Sequence, residues 1–216
     1  MNGVENSDEE DDFINDEEIQ EIRRQDEEFE RMVETATSVL ITQLDAALCP
    51  AHDYNKFKCF SHVDPVILES YTGKLKTGVV DFSIVGYTVR YNTGRYSNEQ
   101  DNLYIVGKIE VDKNYPHTYY HKESLVEKFT DLFIAQDVDF KGKRKFSRSF
   151  HVLCDDAPRL QALWKGKDLD LLAKFKNMEL EIAQGECFFR NSRKSFSVEE
   201  AKEFTELAKT LGDLFL

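Results

Sequence analysis

Two β-type segments joined by a polar turn constrain the fold most. The segment GVVDFSIVGYTVRY, residues 78–91, is rich in β-branched and aromatic residues, which favour strands. After the turn NTGRYSNEQDN, apolar side chains alternate through LYIVGKIEV at Leu103, Ile105, Ile109 and Val111. Because alternate side chains of a strand share one face, we expect an antiparallel hairpin with one buried face.

The first of these strands changes its alternation part-way along. One face would carry Val80, Phe82 and Ile84, whereas the other would carry Val85, Tyr87, Val89 and Tyr91. An extra residue in a strand shifts the alternation in this way. The pattern therefore predicts a β-bulge near Val85 and Gly86.

A long helical stripe precedes the hairpin. Asn15 can cap it with Glu18 reaching back, and Pro50 ends it. Apolar residues recur between these limits at Ile19, Ile22, Phe29, Met32, Val33, Ala36, Val39, Leu40, Leu44, Ala47 and Leu48. We expect residues 36–48 to dock on the domain and residues 16–30 to project.

Two arrangements of this helix remain open. The helix can pack on its own domain along its length. Alternatively, the projecting half can pair with a second copy as a short coiled coil, because Ile22, Phe29 and Ala36 are spaced seven apart.

The charge of the chain is concentrated at its amino terminus. The net charge is −13, and residues 1–34 hold fifteen Asp and Glu against three Arg. The body is therefore almost neutral, and its charge says little about partners. The first fourteen residues are acidic and poor in apolar groups, so we expect them to be disordered.

The remaining pattern predicts an α+β fold, a mainly antiparallel sheet packed with helices and preceded by a long amino-terminal helix. We divide the chain into an acidic tail (1–14), an acidic amphipathic helix (15–48), a connecting loop (49–63) and an α+β domain (64–216). Within the domain we expect a helix at 122–134, a strand in FSRSFHVL, short helices near 156–164 and 167–176, a hairpin turning at Gln184-Gly185, and a last helix capped by Ser197.

The connecting loop contains two Cys-x-x-His pairs, Cys49 with His52 and Cys59 with His62. Thiolate and imidazole are good zinc ligands, so a structural zinc site is one hypothesis for the loop, and no other cofactor is indicated. The alternative is ordinary packing, in which Phe57 and Phe60 anchor the loop without metal.

Two basic stretches form a candidate phosphate or nucleic-acid surface. Its residues are Lys141, Lys143, Arg144, Lys145, Arg148, Arg190, Arg193 and Lys194. If the two loops are neighbours, the aromatic residues between the charges would complete a platform for phosphates or single strands. The alternatives are a solvated loop, or a patch that the acidic segment covers.

Other candidate groups give weaker patterns. His117 and His121 lie four residues apart at an expected helix start. Two histidines alone would supply only half of the ligands of a tetrahedral metal site. We expect Asp137 and Asp139 to cap backbone amides. Cys154 and Cys187 lack an evident base, and no phosphate loop or hydrolase motif occurs. The sequence does not indicate an enzyme.

Three motifs carry a resemblance to a known family: PHTYYHKE at 116–123, QDVDF at 136–140 and FSRSF at 146–150. With CDDAPRLQALW, the glycine hairpin EIAQGECFFR and the closing helix, residues 104–215 resemble a widespread uncharacterised bacterial family, often anchored by amino-terminal membrane helices. Here an acidic helix stands in place of those helices. The resemblance implies a fold and an origin, and it carries over no catalytic residue.

The class of function follows from what is present and what is lacking. The chain has no apolar run of about eighteen residues and no signal-peptide pattern, so we expect a cytoplasmic, non-membrane protein with reduced cysteines. The favoured function is a non-enzymatic binding domain that engages a protein partner or forms a homo-oligomer. A nucleotide- or nucleic-acid-binding module is the alternative.

Overall fold

A computed structural model describes residues 16–61, 65–93, 96–121, 136–138, 140, 143–191 and 196–215. These residues form one sheet of nine strands, and all the strand pairs described are antiparallel. The α+β class with a long leading helix is confirmed.

The strands, in chain order, are β1 (Ala47–Cys49), β2 (Val66–Leu75), β3 (Gly78–Thr93), β4 (Tyr96–Glu110), β5 (Thr118–His121), β6 (Gln136–Asp137), β7 (His151–Cys154), β8 (Glu179–Ala183) and β9 (Glu186–Arg190). Their order across the sheet is β1-β2-β3-β4-β9-β8-β5-β7-β6. The helices are α1 (Asp16–Leu44), α2 (Lys58–Ser61), α3 (Arg144–Ser149), α4 (Ala157–Leu163), a 3-10 helix (Leu169–Lys174) and α5 (Val198–Phe215). None of the helices in these ranges is long and apolar enough to cross a bilayer.

The predicted hairpin is strands β3 and β4, which pair without interruption from Asp81 with Lys108 to Thr93 with Tyr96. The predicted bulge in β3 is wrong, because the register shift lies in the neighbouring strand β2, between Ile67 and Glu69. The alternation in β3 changes because both faces of the sheet are covered. A single buried face is therefore also wrong.

The first face of the sheet is covered by helices. Ala36, Leu40 and Leu44 of α1 are buried with the inner side of α5 and with the strands. Phe204 of α5 lies 6.0 Å from Phe82 and 5.1 Å from Phe189, measured between ring centroids. This is the main apolar core, in which full burial of one such side chain contributes about 1.5–3 kcal/mol.

The second face is covered by residues 50–61. Tyr54, Phe57, Cys59 and Phe60 are buried there against Val85, Tyr104, Val106, Tyr119, Ala183 and Phe188. The predicted connecting loop therefore contains the short helix α2 and part of the core.

Helix α1 ends four residues earlier than the stripe predicts. Asp45 takes a left-handed conformation with φ of 46°, and the Ala46 N–H donates to the Ile41 carbonyl at 3.0 Å, which closes the helix. Residues 47–49 then pair with β2, so Leu48 is 69% exposed instead of buried in the stripe. The proposed Asn15 cap lies outside the described residues.

The second half follows most of the predicted order. The short helices, the β8-β9 hairpin and α5 are confirmed. Gln184 and Gly185 both have positive φ, which suits a two-residue hairpin turn, and Ser197 Oγ accepts from the Glu200 N–H at 3.2 Å. The predicted helix at 122–134 lies outside the described residues.

FSRSF is helical where a strand was predicted. Its first and last residues, Phe146 and Phe150, are both buried, with ring centroids 5.3 Å apart, as the four-residue spacing of a helix allows. Asp170 accepts from the Phe146 N–H at 3.0 Å and satisfies an amide of the first turn of α3. Only residues 151–154 continue as strand β7.

Candidate functional site

The amino-terminal half of α1 is a candidate interaction surface. Residues 19–31 are exposed throughout, including the apolar residues Ile19 (37%), Ile22 (49%) and Phe29 (45%). At 100° per residue these three side chains lie on the same side of the helix as Leu40 and Leu44, which are buried in the core. One apolar stripe is thus packed at one end of α1 and open at the other.

The flanks of this open stripe are acidic. Residues 16–31, here named the acidic arm, contain eight Asp and Glu against three Arg. Arg24 donates to Glu21 at 2.7 Å and lies beside it as an ion pair, and this contact lowers the pKa of Glu21. Such exposed pairs hold a helix weakly, so most of the charge of the arm is available to a partner.

The described residues of the two Cys-x-x-His pairs have different neighbours. In its first half, Cys49 Sγ lies 3.2 Å from His52 Nε2. The same ring nitrogen lies 3.1 Å from the Tyr71 carbonyl and 3.7 Å from Asp81 Oδ1. Because a carbonyl oxygen only accepts, Nε2 carries its hydrogen toward Tyr71, and the ring is not placed as a base for the thiol.

Cys59, the described residue of the second pair, is buried on the second face of the sheet. The Cys59 N–H donates to Glu181 Oε2 at 2.9 Å, and burial, with the nearby Glu181 carboxylate, raises the pKa of the Cys59 thiol. Phe57 and Phe60 pack on Phe188 at 5.2 and 5.9 Å. These contacts are those expected if aromatic side chains anchor the segment.

The zinc hypothesis stays a prediction, because His62 lies outside the described residues. Within the part of the chain that the structure describes, no group of three or more His, Cys, Asp and Glu side chains is arranged to hold a metal ion.

Buried charges on the second face of the sheet were missed at the level of sequence. The Arg190 guanidinium pairs with the Glu179 carboxylate, which also accepts from the Tyr119 hydroxyl. Burial lowers the pKa of Arg190, but the charge of Glu179, its hydrogen bond and the nearby Cys59 and Tyr104 together outweigh burial, and the pKa is raised. Arg190 is 1% exposed, so its predicted place in a basic surface is wrong.

Glu181 is a second buried carboxylate on this face. It accepts from the His117 ring at 2.8 Å and from backbone amides at the start of α2. Burial raises its pKa, but the hydrogen bonds from His117 and from Cys59 outweigh burial and hold the pKa below its ordinary value. The sequence does contain one indication of these buried charges. Glu179 and Arg190 lie at equal distances from the turn Gln184-Gly185, so a hairpin pairs them across its strands.

The predicted histidine pair lies at strand β5, which His117 directly precedes and His121 ends. His117 bonds Glu181, while His121 belongs to β5 and is buried between ring neighbours, 5.1 Å from Tyr119 and 5.9 Å from His151. Both histidines therefore contact the buried polar residues of the second face, His117 through Glu181 and His121 through Tyr119.

The other candidate groups take structural positions. Asp156 accepts from the Arg159 N–H at 3.1 Å and caps α4, and Asp137 lies in β6. Cys154 and Cys187 are buried, and burial raises the pKa of both thiols. Asp139 lies outside the described residues.

The basic stretch at 141–148 is only partly described. Lys143 lies 3.7 Å from Asp168, Arg144 opens α3, and Lys145 and Arg148 are exposed. Lys141, Arg193 and Lys194 lie outside the described residues, so whether the two basic loops are neighbours stays a prediction. Beside Lys143 there is a cavity of about 350 Å³.

Comparison with known proteins adds no relative from which a function could be transferred. The family models searched, the curated proteins and the solved structures each gave no match to this chain. The resemblance to the bacterial family therefore stays a prediction, and the candidate sites are assessed from their geometry alone.

Proposed function

We propose that this protein is a non-enzymatic binding domain whose acidic arm captures a basic, amphipathic segment of a protein partner. The observation that carries the proposal is the apolar stripe of α1, which is buried at Leu40 and Leu44 and exposed at Ile22 and Phe29. Exposed apolar groups that continue a packed surface mark interaction sites more often than isolated ones do.

The charge of the arm selects the kind of partner. A second copy would bring eight further carboxylates to eight carboxylates, and like charges in contact oppose association. A partner helix with lysine or arginine on its flanks would match both the apolar stripe and the acidic flanks. Charge complementarity therefore favours a basic partner over self-association.

The packed half of α1 supports this function mechanically. Its residues Ala36, Leu40 and Leu44 are fixed in the core, so the arm emerges in a defined direction. An anchored helix loses less conformational freedom on binding than a free peptide does, which favours affinity.

The test is a titration with two designed peptides that share one apolar heptad pattern and differ only in flanking charge. We expect the lysine-flanked peptide to bind and the glutamate-flanked peptide not to bind, as read by fluorescence anisotropy at two salt concentrations. Binding should weaken with added salt, because the attraction between exposed charges is screened.

Matched variants locate the binding surface. Ile22→Ser with Phe29→Ser should weaken binding at least about tenfold, since each removes an apolar anchor of about 1 kcal/mol or more. Leu171→Ser removes an equally exposed apolar residue from the 3-10 helix and should leave the affinity unchanged. Equal affinity for the arm variant, or a dimer that the same substitutions abolish, would refute the proposal.

A further inference from the structure

The cavity beside α4 is a second candidate site, independent of the arm. Its floor is formed by Trp164 and Leu169, which are almost fully buried, and its wall by the half-buried Phe140. Lys143, Gln161 and Lys165 stand at its rim. We propose that this cavity binds a nucleoside monophosphate, with the base against Phe140 and the phosphate between Lys143 and Lys165.

The aromatic wall is fixed in place before any ligand arrives. Trp164 is stacked between Tyr120, at 5.2 Å and 13°, and Phe140, at 5.6 Å and 27°. Phe146 contacts Phe140 edge to face, with ring centroids 5.7 Å apart. Phe140 is therefore held by two ring neighbours, Trp164 and Phe146. A planar ring that enters the cavity therefore meets a surface whose rotamers are already set, which lowers the entropy cost of binding.

The rim carries the charge that a phosphate needs. Lys143 and Lys165 supply two ammonium groups, and the Asp168 carboxylate lies 3.7 Å from Lys143 with 62% of its side chain exposed. An ion pair as exposed as this one is weak. A dianionic phosphate therefore competes effectively with Asp168 for Lys143. The further positive charges of Lys145 and Arg148 in α3 raise the local concentration of anions.

The combination of ring wall and paired lysines defines the ligand class. A simple phosphate would use the rim and leave the aromatic wall bare, and a neutral nucleoside would use the wall and gain nothing from the two ammonium groups. Base stacking on an aromatic side chain contributes affinity with little base preference. The volume of about 350 Å³ suits one small molecule and not an extended strand.

The experiment is a calorimetric titration of the full chain with AMP, adenosine and inorganic phosphate as separate probes. AMP should bind saturably and at least about tenfold more tightly than either fragment, because it alone engages both the ring wall and the lysines. Lys143→Gln and Lys165→Gln should each weaken AMP about tenfold, the scale of one lost charge-assisted contact.

A matched control separates the cavity from the general basic surface. Lys145→Gln removes the same charge from α3 without lining the cavity and should change AMP affinity by less than about twofold. Phe140→Ala should weaken AMP and leave phosphate binding unchanged, with folding checked by circular dichroism.

Three results would overturn the inference. The first is no saturable binding of AMP, and the second is an equal loss from Lys145→Gln and Lys143→Gln. The third is tight binding of a single-stranded oligonucleotide that Lys143→Gln and Lys145→Gln weaken alike. That result would indicate an extended nucleic-acid surface instead of a cavity.

Discussion

The domain and the acidic arm treat their side chains in opposite ways. The domain buries charged groups, including Glu179, Glu181 and Arg190, whereas the arm exposes apolar ones, including Ile22 and Phe29. Each of these three buried charges has partners within hydrogen-bond reach, and in the arm no described element covers the stripe. Burial in this chain therefore depends on the groups that each side chain contacts and not on residue type alone.

The largest effect that separates the two regions is expected from their arginines. Arg190→Met removes the counter-charge of Glu179 inside the domain and should lower the free energy of unfolding by about 3–5 kcal/mol. Arg24→Met in the arm breaks an exposed pair and should cause no measurable change. Urea unfolding of both variants checks this, and equal stability of the two would contradict the comparison.

The apolar stripe of α1 gives the next contrast. Leu40→Ala should lower the free energy of unfolding by about 2–5 kcal/mol, because it leaves a cavity between α1 and the core. Phe29→Ala removes a larger side chain from the exposed end and should change stability by less than about 0.5 kcal/mol. A loss of similar size in both variants would mean that the arm is packed in solution.

Acid should destabilise the domain through Glu181. Its pKa in the folded protein lies below its ordinary value of 4.5, so its contribution is present above about pH 4.5 and is lost as the pH falls through the folded value. Unfolding measured between pH 7 and pH 3 should show this decline. Glu181→Gln should have a flatter profile over the same range, and an unchanged profile would remove Glu181 as the cause.

The smallest effect is expected from the arm variant used for binding. Ile22→Ser with Phe29→Ser should change the free energy of unfolding by no more than ordinary surface substitutions do, about ±0.5 kcal/mol each. A cooperative loss of stability would show that these residues support the fold and would weaken their use as a binding test.

Local sequence patterns predicted the elements whose burial follows from periodicity. The stripe of α1, the inner side of α5 and the β3-β4 and β8-β9 hairpins each repeat with a period of a helix or a strand. The strand prediction for residues 146–150 is wrong, because Phe146 and Phe150 satisfy strand and helix spacing alike. The helix is capped by Asp170, 24 residues after Phe146.

The candidate sites were less predictable because their contacts are distant in sequence. Cys49 and His52 meet through their own spacing, but Cys59 turns toward Glu181, 122 positions later. Sequence patterns predict Arg190 as a surface cation, because no residue near it in sequence indicates that residues 50–61 cover its side of the sheet. The cavity likewise joins Phe140 and Lys143 to Trp164 and Lys165 from the turn after α4.

Amide hydrogen exchange with and without the lysine-flanked peptide tests the central claim most directly. In the free protein, amides of residues 19–31 should exchange faster than those of residues 36–44, because only the latter are anchored in the core. On addition of the peptide, exchange should slow in residues 19–31 and stay unchanged in the sheet. Protection that appears elsewhere, with the arm unaffected, would contradict the proposal that the acidic arm is the binding surface.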